Sequence, residues 1–297
     1  GSEMCIRDRQ VTGEVMELLF DLADAVNFTE RRESMRRGAR INSTEDRAVL
    51  HHALRMPKGY DFSIYGKPTG NSPHHFHTVS QNQQNGGPGF ESDGNFLLGK
   101  VHRVQERIEA FSNQIRSGGV RGVTGKRLKN YICIGIGGSQ LGAEFVKEAF
   151  RADPVASKAS QGRTLRFLAN VDPVDFHLTT RDLDPEETLI VVISKTFSTA
   201  ETMLNARTVR KWLMDSLGRP PFKEADIVKK HMVAVSCNSD QCKKFGIAEH
   251  NIFGFWDWVG GRFSVCSAVG LVPLSLQFSF EVMKDFLAGA HDIDQVS

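Results

Sequence analysis

The pattern of apolar and polar positions changes character near residue 96. Before it, Val15 to Arg37 mixes apolar and charged residues at roughly helical spacing and predicts one or two amphipathic helices. Ser43, followed three residues on by Asp46, predicts a further helix start, because a serine oxygen can take an orphan backbone N–H. Pro57-Lys58-Gly59 would stop that helix. Residues 66–94 are rich in Gly, Asn, Gln, Ser and Pro, with almost no apolar periodicity, and predict a flexible loop. From Phe96 onward helical and strand patterns alternate. Val101–Ile115, Gln140–Phe150 and Glu201–Ser216 read as helices. Tyr131–Ile136, Leu165–Ala169, Leu189–Ile193 and Met232–Val235 read as strands. Continuous apolar strands separated by helices predict an α/β fold, a parallel sheet covered on both faces.

Composition narrows the function classes more than the fold. The 37 basic and 35 acidic residues leave a net charge of +2, which argues against a nucleic-acid binder but leaves room for a local anion pocket. The most apolar segments, Leu189–Ile193 and Val265–Leu276, are short or broken by Gly270 and Pro273, so no membrane partner is expected. Residues 1–10 are charged rather than apolar; they are not a secretory signal and are read as a non-native lead-in. The five cysteines contain no CxxC pair, and Cys133 and Cys266 lie in apolar runs, which predicts reduced, buried thiols. His74, His75 and His77 offer imidazoles, but no cysteine or carboxylate lies nearby to complete a site, and no metal is expected.

Ligands of open parallel sheets bind where strands end and helices begin, and two such turns carry chemistry. The first is Gly135-Ile136-Gly137-Gly138-Ser139-Gln140. Glycines there let backbone N–H groups approach an anion at a helix N-terminus. A dinucleotide loop would need glycine at position 140, and Asp172 lies farther on than the usual ribose-binding acid; no Gly-Lys-Ser/Thr makes it a Walker loop either. The alternative is a tight turn that needs glycine for packing. The second turn, Ser194-Lys195-Thr196-Phe197-Ser198-Thr199, sets four hydroxyls and a lysine between a strand and a helix. Such a set suits a phosphate monoester without a metal; the alternative is plain helix capping. Ser198 and Glu201 also fit a capping box. A third segment, Phe253 to Ser264, places Gly260-Gly261 before Arg262. It suits either a guanidinium aimed into a pocket or an arginine stacked on Trp256 or Trp258.

Together, Ile134–Ser139, Ser194–Thr202 and Asp257–Gly270, with Asn42–Arg55 and Gly289-Ala290-His291, resemble the glucose-6-phosphate isomerase family. The resemblance runs from about residue 40 to the end and is weakest over 66–94. It implies a flavodoxin-like sugar isomerase domain over 96–275, an N-terminal helical arm over 11–95, and the start of a further region at 276–297. It also implies reversible conversion of glucose 6-phosphate to fructose 6-phosphate, no cofactor, a cytoplasmic location (an organellar one not being excluded) and a homodimer in the full-length protein. Carried over by position, Ser194, Lys195, Thr196 and Thr199 would hold the phosphate, with Phe197 and Ser198 in the same turn. Gly138 and Ser139 would contact the sugar, Gly261 would pack beside it, and Arg262 would stabilise a cis-enediolate. Ser198 stands where many relatives have threonine. The family's proton-shuttling glutamate, ring-opening histidine and a lysine lie downstream of this region, so the chain is expected to be a fragment that is inactive alone. The competing expectation is a non-catalytic sugar-phosphate-binding regulator.

Overall fold

A computed structural model describes residues 12–60 and 94–295. The 66–94 loop up to residue 93, its three histidines, Cys5 and the lead-in up to residue 10 lie outside the described residues. The chain divides into two compact units, residues 1–50 with 61–94 and residues 51–60 with 95–297.

The described part of the first unit begins with two helices, α1 (Gly13–Ala25) and α2 (Phe28–Arg36), where one or two were expected. Thr12 caps α1 by accepting the Val15 N–H at 3.3 Å, and Asn27 makes the corner in the left-handed conformation. Neither helix buries a residue. The helix expected from Ser43 does not form. Residues 42–47 close a turn through an antiparallel bridge between Asn42 and Arg47. The Thr44 hydroxyl donates to Asn42 Oδ1, and Asp46 takes a positive φ. Short polar side chains here offer local partners that compete with a helix.

The second unit is built on five parallel strands: β1 (Asn130–Ile134), β2 (Thr164–Leu168), β3 (Thr188–Ile193), β4 (Met232–Val235) and β5 (Ile252–Phe253). Their order is β2-β1-β3-β4-β5, the flavodoxin-like arrangement, flanked by helices as the sequence predicts. Every residue of β1, β3 and β4 is buried, the condition of central strands covered on both faces. β5 has no counterpart among the predicted strands because it is two residues long and merges into the aromatic run that follows it.

The helices are α3 (Gly94–Ser117), α4 (Leu141–Ala149), α5 (Pro154–Ser160), α6 (Pro173–Thr180), α7 (Ala200–Leu217), α8 (Glu224–His231), α9 (Ser239–Phe245), α10 (Ala268–Phe278) and α11 (Phe280–Gln295). Helix α7 buries Thr202, Met203, Asn205, Ala206, Val209, Leu213 and Leu217, a one-sided stripe against the sheet. All of α10 is buried, as a helix that is apolar all round requires. Cys133, Cys242 and Cys266 are buried and Cys237 is exposed, and none of the four is in a disulfide.

One buried polar residue ties the layers together. His231, at the end of α8, accepts the Val123 N–H through Nε2 at 2.9 Å, while Nδ1 lies 2.8 Å from the Thr188 carbonyl at the start of β3. Burial pushes its pKa down, consistent with a neutral ring that donates at one nitrogen and accepts at the other. His231→Leu leaves two buried backbone groups unpaired at about 1–3 kcal/mol each. Urea unfolding is expected to lose about 2–6 kcal/mol with an unchanged slope.

Candidate functional site

Strands β1 and β3 are neighbours, with Ile134 paired to Val192, so their carboxyl ends open on the same edge of the sheet. The chain leaves β1 for β2 on one side and returns to β3 on the other, which makes this gap the topological switch point. Both chemically loaded turns flank it.

After β1, Gly137–Ser139 forms a 3₁₀ turn before α4 begins. A second 3₁₀ turn, Gly261–Cys266, packs directly on it. A Cβ at Gly138 would lie 2.5 Å from the Gly261 carbonyl oxygen and 2.8 Å from its Cα, so the two backbones meet only because residue 138 has no side chain. Ser264 closes the junction from beneath: its buried hydroxyl lies 3.0 Å from the Gly138 carbonyl and 2.8 Å from the Gly261 carbonyl. Ser139 is half-buried above it, and Arg262 is exposed, its guanidinium making no hydrogen bond or ion pair among the described residues. No cation–π contact sets Arg262 on either tryptophan among the described residues, and Trp256 and Trp258 stack on each other, 5.2 Å apart and 12° from parallel.

After β3, the turn is organised by its buried members. Phe197 takes a left-handed φ of 54° and sends its ring into the core, edge-on to Phe245 at 5.8 Å. Its N–H donates to Ser194 Oγ at 3.1 Å, and Ser194 Oγ lies 3.2 Å from Thr199 Oγ1. Thr196, Ser198 and Thr199 are exposed. The expected capping box is not formed. Thr199, not Ser198, occupies the N-cap of α7, no side chain caps the helix, and the Ser198 hydroxyl instead donates to Thr196 Oγ1 at 2.8 Å. The left-handed step at Phe197 accounts for this: it places Ser198 one residue outside the helix, leaving the first N–H groups of α7 without a side-chain cap.

Lys195 links this turn to the arginine segment. Its ammonium donates to the carbonyls of Asp257, at 2.6 Å, and Val259, at 3.3 Å. The Lys195 carbonyl in turn accepts from the Cys237 N–H and the Ser236 hydroxyl beyond β4. An ammonium has three donors, so one remains for a ligand.

A residue with no role predicted from sequence completes the arrangement. His51 lies on a 3₁₀ turn, His51–Leu54, and its Nε2 accepts the Gly260 N–H at 3.4 Å. Its ring packs on Phe263 with centroids 5.1 Å apart. Burial, with the positive charges of Arg55 and Lys195, lowers its pKa from 6.5 to about 4. The only sequence signal was its place in the family-like block before Arg55.

Two outcomes follow from this geometry. Gly138→Ala forces backbone against backbone and is expected to destabilise by about 1–3 kcal/mol. Gly261→Ala meets only Gly138 Cα, at 3.8 Å, and is expected to leave the denaturant midpoint nearly unchanged. For His51, the folded pKa of about 4 lies below the ordinary 6.5, so across that window the unfolded chain binds the proton more readily. The stability it contributes is whole above the window and is lost as pH falls through it. Thermal midpoints of wild type and His51→Gln, measured from pH 7 to 4, should therefore show the wild type losing more.

Comparison with known proteins identifies the family. A family model described as phosphoglucose isomerase matches residues 7–72 and 68–296. Cytosolic glucose-6-phosphate isomerase A of Oryza sativa subsp. japonica is 49% identical over 287 residues, covering 97% of this chain and 45% of the rice protein. The cytosolic enzyme of Zea mays is 49% identical over 286 residues, covering 96% of this chain and 44% of its own length. The crystal structure of a glucose-6-phosphate isomerase from Chlamydia trachomatis superposes with a TM-score of 0.65 at 25% identity, over 96% of this chain and 46% of that one. The chain thus spans less than half the length of these relatives, and it belongs to the phosphoglucose isomerase family.

Proposed function

We propose that this chain carries the sugar-phosphate-binding part of a glucose-6-phosphate isomerase, which interconverts glucose 6-phosphate and fructose 6-phosphate through a cis-enediolate. The observation that carries the reading is the meeting of three turns at the switch point: a hydroxyl-rich turn, a glycine turn and the turn that carries Arg262, whose guanidinium makes no hydrogen bond or ion pair among the described residues. Ser194, Thr196, Ser198 and Thr199, with the free donor of Lys195, suit a dianionic phosphate at the uncapped start of α7. Phe197 acts as the anchor of that turn, its ring buried and its N–H spent on Ser194. Gly138 and Ser139 face the sugar, Gly261 packs beside it, and Arg262 offers a permanent cation to the enediolate oxygens.

The reaction is redox-neutral overall: a base takes the proton from the carbon beside the carbonyl and returns it to the former carbonyl carbon, while the hydroxyl proton on the first carbon's oxygen passes to the former carbonyl oxygen. The base, the ring-opening histidine and the second lysine belong, on this reading, to the part of the relatives that this chain does not cover. The sugar isomerase domain is assigned to 96–275, the location is cytosolic as in the names of the rice and maize relatives, and the full-length protein is a homodimer. Arg262, without a hydrogen bond or ion pair among the described residues, favours an isomerase over a regulator, which has little use for an enediolate stabiliser.

Calorimetric titration tests the reading. The chain should bind fructose 6-phosphate and inorganic phosphate, and Thr199→Val should weaken both by roughly tenfold, one charge-assisted hydrogen bond at about 1.5 kcal/mol. Arg262→Ala should leave inorganic phosphate unaffected. A coupled assay should find no turnover by these 297 residues alone; measurable turnover would show that the base lies within them.

A further inference from the structure

We propose that His51 is a positioning residue: its Nε2 holds the Gly260 amide and thereby fixes the Gly260–Arg262 backbone that presents the Arg262 guanidinium. The inference rests on the reading of Arg262 given above and deepens it.

The segment from Asp257 to Ser264 is held at three places. Lys195 takes the carbonyls of Asp257 and Val259, Ser264 ties Gly261 to Gly138, and His51 takes the Gly260 N–H. Without the third, the orphan N–H would belong to the first of two consecutive glycines, the residues with the most backbone freedom, directly before Arg262. The other two clamps grip carbonyls on either side of this amide and do not replace its acceptor.

His51 is itself mounted rigidly. Residues 52–54 of its turn are buried. Arg55, next in sequence, makes a bidentate pair with Asp294 on α11, at 2.7 and 2.6 Å. Gln105 and His102 of α3 reach the carbonyls of Leu54 and Met56, each at 2.9 Å. The imidazole is therefore a fixed post rather than a side chain that follows the loop.

The protonation state fits the role. Accepting at Nε2 requires the hydrogen on Nδ1, and Nδ1 is buried with no partner among the described residues. A ring serving only as packing would gain nothing by leaving that donor unpaired. The positive groups beside it, Arg55 and Lys195, oppose a second proton, which would abolish the acceptor.

The test uses the 297-residue chain and two probes: inorganic phosphate, which reports the Ser194–Thr199 turn, and 6-phosphogluconate, whose carboxylate mimics the enediolate oxygens for Arg262. His51→Phe keeps a ring against Phe263 and removes the acceptor. It should lose roughly 10- to 100-fold in 6-phosphogluconate affinity, the scale of a misplaced reacting group, and keep its phosphate affinity. His51→Gln, with an amide oxygen near the Nε2 position, should stay within about threefold of wild type for both, the spread of a retained hydrogen bond. Equal loss of both probes in His51→Phe, or no loss of either, overturns the inference. If His51→Phe does not fold, nitrogen-15 shifts of wild-type His51 at pH 7 decide: the neutral Nδ1–H form supports the assignment, and the Nε2–H or doubly protonated form overturns it. Failure of the wild type to bind either probe instead overturns the proposed function, and the inference with it.

Discussion

The candidate site depends on the contact between the backbones of Gly138 and Gly261. These glycines come from turns more than a hundred residues apart, and the distance between them leaves no room for a Cβ at position 138. The single hydroxyl hydrogen of Ser264 is then shared between the Gly138 and Gly261 carbonyls that this approach brings together. Helix α10 begins just after this junction, and a Cβ at its Gly270 would land on the Val265 carbonyl, so the helix is drawn equally close. The missing side chains at its borders and this one hydroxyl thus set how closely the arginine segment approaches, alongside the Lys195 and His51 contacts that also hold it. Such contacts are short-ranged and steep, which makes the position of Arg262 sensitive to shifts of a few tenths of an ångström.

The hydroxyl turn is stabilised differently. A phenylalanine at a left-handed φ costs about 1–2 kcal/mol. Burying its ring returns about 1.5–3 kcal/mol, and its N–H gains the Ser194 oxygen. The balance favours the strained conformation by a modest margin, and the strain places Thr196 and Ser198 outside while Ser194 stays beneath them. Lys195 then links this turn to the arginine segment through two carbonyls, so the two halves of the site do not move independently. An ordered phosphate would compete for the same ammonium only at its third hydrogen.

The sheet and its long helices were legible in the sequence because their residues answer to one local rule, burial on both faces or on one stripe. β1, β3 and β4 satisfy it at every position. The failures share a different cause. Asp46 and its neighbours replace a helix with side-chain hydrogen bonds that no periodicity records. Ser198 loses its capping place because Phe197, one residue earlier, is anchored in the core against Phe245. β5 has only two residues, too few to show a period. His51 reaches Gly260 across 209 positions, so its part in the site exists only in the folded chain. The residue types of the phosphate turn and of the arginine segment could be read locally; what holds them together could not.

On the proposed reading, the exposure of Arg262 also explains why binding and chemistry would separate. A guanidinium about 4 Å from an oxyanion gains only about 1 kcal/mol in bulk water but about 4 kcal/mol at an effective dielectric of 20. The difference, about 3 kcal/mol, corresponds to roughly two decades in rate. Phosphate held by several hydroxyls and N–H groups needs no such exclusion of water, since each donor acts at contact distance. The arginine does need it. Leu141 and Phe145 on α4, Leu204 on α7 and Phe263 beside Arg262 itself are all at least half exposed, apolar side chains on the elements that form the site. A covering layer that buried them would remove water from the guanidinium in the same step, coupling closure of the site to the strength of its one permanent cation.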